Sequence, residues 1–161
     1  MKKSLLVGIV LISVLLTGCT LPVQNTRIQG SGNMVLEERQ VSEFSKVSLE
    51  GMGDLEIVVG DTESLTIEAE DNIIGRIESY VSGDTLHIGF ERFINVVPTS
   101  GITYTLTVKD LNGIEVSGYG DVYVAALTTD NLEVEVSGGG WIVIDNLTAD
   151  YLRVKLSGAG D

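Results

Sequence analysis

The last third of the chain alternates between aliphatic and polar positions. Ile114 and Val116 flank Glu115, Val134 and Val136 flank Glu135, and Val154 and Leu156 flank Lys155. After the next turn, Val122 and Val124 flank Tyr123, and Ile142 and Ile144 flank Val143. A side-chain period of two puts the aliphatic set on one face of a strand. The alternation itself recurs. Leu111–Asp130, Asn131–Asp150 and Tyr151–Asp161 align in rows of twenty, and Ser117, Ser137 and Ser157 each open a Ser-Gly-x-Gly turn. Each row predicts two short strands, with Leu127 and Leu147 as a third inward position before the next corner.

A fixed period of this size marks a stacked repeat in which each unit depends on its neighbours for burial. Stacking the rows aligns Ile114/Val134/Val154, Val116/Val136/Leu156, Val122/Ile142, Val124/Ile144 and Leu127/Leu147. The glycines are expected to make corners by adopting positive φ. The leucine-rich signature L-x-x-L-x-L-x-x-N is missing. The rows therefore predict an all-β fold, a right-handed parallel β-helix with coils of about twenty residues.

Upstream the pattern is looser. Phe44–Leu49 alternates and runs into Gly51-Met52-Gly53-Asp54, an early copy of Gly118-Tyr119-Gly120-Asp121, followed by Leu55, Ile57 and Val59. Met34–Val41, Ser64–Ala69 and Tyr104–Val108 read as strands, and Val81–Phe90 as a strand pair around Ser82-Gly83-Asp84. In Asp71–Tyr80 the spacing of Ile73, Ile74 and Ile77 is helical but Gly75 interrupts it, so a short helix and a packed loop both stay open. Glu91–Gly101 is the least regular stretch.

The N-terminus has its own logic. Met1-Lys2-Lys3 is basic, Leu5–Leu16 is almost wholly apolar, and Leu16-Thr17-Gly18-Cys19 follows. A basic start and a short apolar segment make a secretion signal. The ending resembles the bacterial lipobox, in which the signal is cut before the cysteine and the cysteine receives lipid. Residues 1–18 are thus expected to be a lipoprotein signal peptide, 19–29 the lipidated Cys19 and a polar tether, and 30–161 the β domain. Cys19 is the one cysteine, so no internal disulfide can form. Multiple acyl chains give durable anchoring where one does not. The chain carries a net charge of −13, which becomes −15 once Lys2 and Lys3 leave with the signal. That balance disfavours nucleic acid.

The glycine turn at Gly30-Ser31-Gly32-Asn33, the stretch FSKVSLEGMGDLEI from Phe44, GDTESLTIEAEDN from Gly60, GDTLHI from Gly83 and the tandem Ser-Gly-x-Gly rows resemble the auto-transporter adhesin head GIN domain family. The resemblance spans residues 30–161. It implies a β-helical, exported or lipid-anchored protein, and it brings no catalytic residues with it. The third row stops at its turn, so the chain is expected to continue past Asp161 with further coils and a cap.

Catalytic chemistry is sparse. His87, the single histidine, falls at an outward strand position. Without a second histidine or a free thiol there is no zinc set. Ser117, Ser137 and Ser157 lie outside any G-x-S-x-G and are expected to bond the local backbone. The residue after each G-x-G is Asp54, Asp121, Trp141 and Asp161, so Trp141 breaks the carboxylate ladder that calcium would need. No metal or cofactor is expected. Glu115 and Glu135 on adjacent rows, with Lys155 next, would carry any glycan-cleaving chemistry. Tyr119, Tyr123, Trp141 and Tyr151 are the candidate contacts for a ligand, by stacking on sugar rings or anchoring a protein. The same rings would also serve to cover glycine-rich backbone.

These features together read as a membrane-anchored, extracytoplasmic, non-catalytic protein that binds or adheres at the cell envelope. Its expected partners are the membrane through Cys19, and an envelope glycan or surface protein. Two alternatives stay open, a carbohydrate-active enzyme using Glu115 and Glu135, and a structural envelope protein that pairs through its open end.

Overall fold

The computed structural model describes residues 26–160. The signal peptide and Cys19 lie outside the described residues. The described strands, in order, are β1 Thr26–Gln29, β2 Met34–Arg39, β3 Lys46–Leu49, β4 Asp54–Val59, β5 Ser64–Glu70, β6 Ile77–Ser82, β7 Thr85–Phe90, β8 Ile94–Val97, β9 Thr103–Val108, β10 Gly113–Val116, β11 Val122–Val136 and β12 Ile142–Leu156. A single 3-10 turn, Ile74–Arg76, occupies the ambiguous isoleucine stretch. No described helix is long and apolar enough to cross a membrane.

Ten strands form one sheet, while β1 and β8 make a separate parallel pair. The sheet has two legs, and β11 joins them. Val122–Val124 of β11 pair with β4, and Glu133–Val136 of the same strand pair with β10. One leg runs β2-β5-β9-β4-β11, the other β6-β7-β3-β10-β11, and β12 lies along β11 through both. The expected two strands per row are thus a single strand of 15 residues that bends without breaking. The row register is as the repeat requires: Ile114 lies beside Val134 and Val134 beside Val154, Val122 beside Ile142, and Leu127 beside Leu147.

The global fold differs from the expected right-handed parallel β-helix. β2 with β5, β5 with β9, and β6 with β7 are antiparallel. The result is a mixed sheet curled into a half-barrel. The period of twenty governs only the rows from Leu111 onward. Upstream, β6 and β7 are joined by a tight turn that reverses the chain, while β2–β5 and β5–β9 pair antiparallel across intervening strands. At the β6–β7 turn, Gly83 has φ +65°, and the two strands pair from Ser82/Thr85 to Ile77/Phe90.

The inner faces of both legs meet in one core. Leu55, Ile57, Leu65, Ile67, Leu106 and Val122 come from one leg, and Val47, Leu49, Leu86, Ile88, Val116 and Val136 from the other. Tyr104 is fully buried among them and donates its hydroxyl to the Met52 carbonyl at 3.2 Å. Burial holds its phenol well above the ordinary tyrosine range, against a smaller opposing pull from Arg39.

Candidate functional site

The glycine corners stack directly on one another. Gly139 donates its N–H to the Gly118 carbonyl at 3.0 Å, and Ala159 to the Gly138 carbonyl at 3.0 Å. A Cβ on Gly138 would sit 1.9 Å from the Gly118 oxygen, and one on Gly140 would sit 2.0 Å from the Gly120 oxygen. Gly118 and Gly120 meet the carbonyls of Gly51 and Gly53 in the same way. The expected positive φ is found at Gly53 (+122°) and Gly140 (+157°), but it is not the reason at the other stacked corners. Gly118, Gly120 and Gly138 do not occupy the left-handed region. They are glycine because backbone from the neighbouring row fills the space a side chain would need.

The aspartates that follow these corners also bridge rows. Asp54 Oδ1 accepts the Asp121 N–H at 3.3 Å, and Asp121 Oδ1 accepts the Trp141 N–H at 2.9 Å. The G-x-G-D motif is therefore a device that caps the strand start one row on. Among the described residues, no group of three His, Cys, Asp or Glu could hold a metal ion.

Three of the four candidate aromatics gather at this corner. Tyr119 sits between Met52 and Gly139 by single bridges, and its ring lies 3.1 Å from where a Gly139 Cβ would be. It covers that glycine yet remains 75% exposed. Trp141, one row on and beside Asp121, is 60% exposed. Tyr123 lies between Glu56 and Val143 on the outer face, and its hydroxyl donates to Asp145 Oδ2 at 2.5 Å. That bond first, then the Asp145 charge, burial and Glu56, hold its phenol above the ordinary value. Asp54, Glu56, Asp121 and Tyr123 line a shallow outer groove of about 430 Å³. The corner thus presents aromatic rings with carboxylates beside them. It suits a ligand that offers apolar C–H faces and hydrogen-bond donors.

Tyr151 is elsewhere. It pairs with Asn131 at the bend between the legs, where a separate groove of about 650 Å³ is lined by Tyr151, Lys46, Asp84, Asp130 and Arg153. The Lys46 ammonium lies 3.2 Å from Asp84, and that contact holds the Asp84 carboxyl below the usual range.

Glu115 and Glu135 are neighbours in register, as the rows indicate. Glu135 is ion-paired with Lys155, and the next acid, Glu133, lies 3.6 Å from Arg153. His87 lies at the other side of this face. Its Nδ1 is 2.6 Å from Glu50 Oε1, and its ring stacks on Tyr80 at 5.0 Å.

One polar centre escaped the sequence reading. The Glu70 side chain is wrapped by the Gly30–Asn33 turn and by Thr99. It accepts the Gly32 N–H at 2.7 Å, the Thr99 N–H at 3.1 Å and the Thr99 hydroxyl. Gly30 is glycine because a Cβ there would fall 1.9 Å from the Glu70 carboxylate. The signal was the glycine turn at Gly30, but nothing in the pattern tied it to Glu70 forty positions later.

The chain belongs to the family described as "Putative auto-transporter adhesin, head GIN domain", which matches residues 43–161. A crystal structure of a putative adhesin from Bacteroides fragilis is similar with a TM-score of 0.79 at 33% identity, covering 83% of this chain and 63% of that one. A putative lipid binding protein from Parabacteroides distasonis shares the fold with a TM-score of 0.70 at 20% identity, covering 81% of this chain and 65% of that one. A putative adhesin from Parabacteroides merdae does so with a TM-score of 0.65 at 14% identity, covering 81% and 62%. The chain therefore spans just under two thirds of the length of these relatives. No curated protein matches it.

Proposed function

We propose that this is a lipid-anchored, extracytoplasmic, non-catalytic protein that binds or adheres at the bacterial cell envelope. Its working surface in this reading is the corner formed by Tyr119, Tyr123 and Trp141. The observation that carries it is the exposure of Tyr119 and Trp141 on a corner whose backbone is locked row to row. Rigid, exposed rings lose little conformational freedom on binding, and such residues dominate recognition surfaces. Family membership and the adhesin relative at 33% identity support the same direction. The partner is an envelope glycan or a surface protein, and Cys19 supplies the anchor.

The test is retention on a panel of cell-wall and host glycans, with new reducing ends measured in the same samples. The protein would begin at Thr20. Retention without cleavage, lost in a Tyr119→Ser/Trp141→Ser variant, is the expected result. Cleavage that disappears in Glu115→Gln/Glu135→Gln would replace this reading with the enzyme. Retention unchanged in the aromatic variant would move the site away from this corner.

A further inference from the structure

The start of β1 is bonded to one conspicuously exposed residue. The Thr26 N–H donates to the Phe93 carbonyl at 3.1 Å, just where β1 and β8 begin to pair. Of the three phenylalanines, Phe44 is buried and Phe90 packs on the core, but Phe93 is 64% exposed. It also has φ +64°, in the left-handed region. That conformation suits glycine or asparagine and strains a bulky side chain. Neither the core nor the turn therefore accounts for a phenylalanine at this position. A strained and exposed residue is a reason to look for a function.

The charges beside it are equally unusual. Arg92 precedes Phe93, Arg27 follows Thr26, and both are exposed. Arg39, Lys46, Arg76, Lys109, Arg153 and Lys155 each lie within ion-pair distance of a carboxylate. Arg27 and Arg92 have no such partner among the described residues. The nearest acid in sequence, Glu91, is held by Arg76 at 3.0 Å. In a chain of net charge −13, the two uncompensated cations thus flank the same backbone bond.

The place of this cluster in the chain says what it would meet. Thr26 is seven residues after Cys19. An extended chain covers about 3.5 Å per residue, so Thr26 and Phe93 stay within about 25 to 30 Å of whatever holds Cys19.

We propose that Phe93, Arg92 and Arg27 form a membrane-contact surface that seats this end of the domain on an anionic bilayer. The proposal rests on the lipid-anchor reading of Cys19. Phe93 enters the boundary between headgroups and acyl chains, where an aromatic ring is favoured, and the arginines meet the lipid phosphates. The acidic remainder of the domain is repelled by the same surface. Contact at this end therefore sets the orientation of the domain as well as its distance from the membrane.

The experiment bypasses biological lipidation. The chain from Cys19 onward is coupled through its one thiol to a maleimide-headgroup lipid in vesicles of equal parts phosphatidylglycerol and phosphatidylcholine, with brominated acyl chains as quencher. The reporter is Phe93→Trp in a Trp141→Phe background; both positions are exposed, so the fold should tolerate the changes. The expected result is quenching of the tryptophan at 93, while Trp141 in the unsubstituted protein stays unquenched. The ratio of quenched to unquenched emission should fall about tenfold when Arg27→Ser and Arg92→Ser are added. Phosphatidylcholine alone should lower it in the same way. Amide exchange on the unsubstituted coupled protein reads the contact without a reporter, as new protection at residues 92–94. No quenching at 93 with no such protection would overturn the proposal. So would equal quenching at 93 and 141, or quenching indifferent to the arginines. Because the anchor is supplied chemically, these results stand apart from whether cells lipidate Cys19.

Discussion

The Tyr123 hydroxyl donates to Oδ2 of Asp145 at 2.5 Å, joining β11 to β12 on the outer face of the sheet. This bond ties one of the candidate contact rings to the neighbouring row. The neutral phenol is the form that donates, so the bond and the carboxylate charge both raise the tyrosine above its ordinary value near 10. Asp145→Asn keeps an acceptor but removes the charge. The Tyr123 pKa should then fall toward the ordinary value, read from the tyrosinate absorbance with Tyr123→Phe as the blank. Linkage runs in the basic range: a raised folded value gives stability that is complete below the unfolded pKa and fades as pH rises through the folded one. A Tyr123 titration unmoved in Asp145→Asn would refute the coupling.

Glu70 predicts the acid limb. Its carboxyl is held below the ordinary range chiefly by the Thr99 hydroxyl, against burial, which pushes it up, with the backbone N–H groups of Thr99 and Gly32 adding to the lowering. A depressed folded value gives stability that is present above the unfolded pKa, near 4.3, and lost as pH falls through the folded one. Glu70→Gln should flatten the fall in stability below about pH 4.5 relative to the parent. Denaturant midpoints measured across the acid range would show it. Parallel acid limbs in the two proteins would remove Glu70 from this role.

Gly138 predicts a large cost for one methyl group. An alanine Cβ would overlap the Gly118 carbonyl oxygen and the Ser117 backbone, with no flexible side chain to yield. Gly138→Ala should destabilise by about 3 kcal/mol, the upper end for overpacking. Gly75→Ala is the matched control, since nothing lies within 4 Å of its Cβ position. It should be neutral or stabilising by about 0.5 kcal/mol through the unfolded state. Similar losses at both positions would mean that row-to-row contact is not what selects glycine.

Cys19 predicts where the protein is found. With lipid on this cysteine, the protein should fractionate with membranes, and Cys19→Ser should release it or leave an unprocessed precursor. Fractionation with intact-mass measurement reads both. A Cys19→Ser protein that stays on the membrane at processed mass would exclude lipid anchoring through this residue.

What was readable in the sequence was local and periodic. The inward set Leu65, Ile67 and Ala69, the hairpin around Gly83 and the pairing of Ile114 with Val134 and Val154 all follow from the alternation of side chains and the offset of twenty. The role of Asp121 was not readable, because its partner is the Trp141 backbone N–H and a backbone group leaves no mark in a residue pattern. The same limit hid Glu70, whose cradle comes from Gly32 and Thr99. It also hid why Gly118, Gly120 and Gly138 are glycine, since positive φ holds at Gly53 and Gly140 but at these three the neighbouring backbone decides.

The sequence by itself determined that the chain is all-β, which residues face inward, and that the last rows stack in register, because period-two alternation and a constant row length each admit one solution. Only the tertiary structure decided the direction in which β2, β5 and β6 join the sheet, since inward-facing side chains are satisfied equally by parallel and antiparallel neighbours. It also decided that Tyr119, Tyr123 and Trp141 share a corner while Tyr151 lies at the bend. That grouping depends on where β11 turns from one leg to the other, and a continuous strand carries no breaking residue to mark the place.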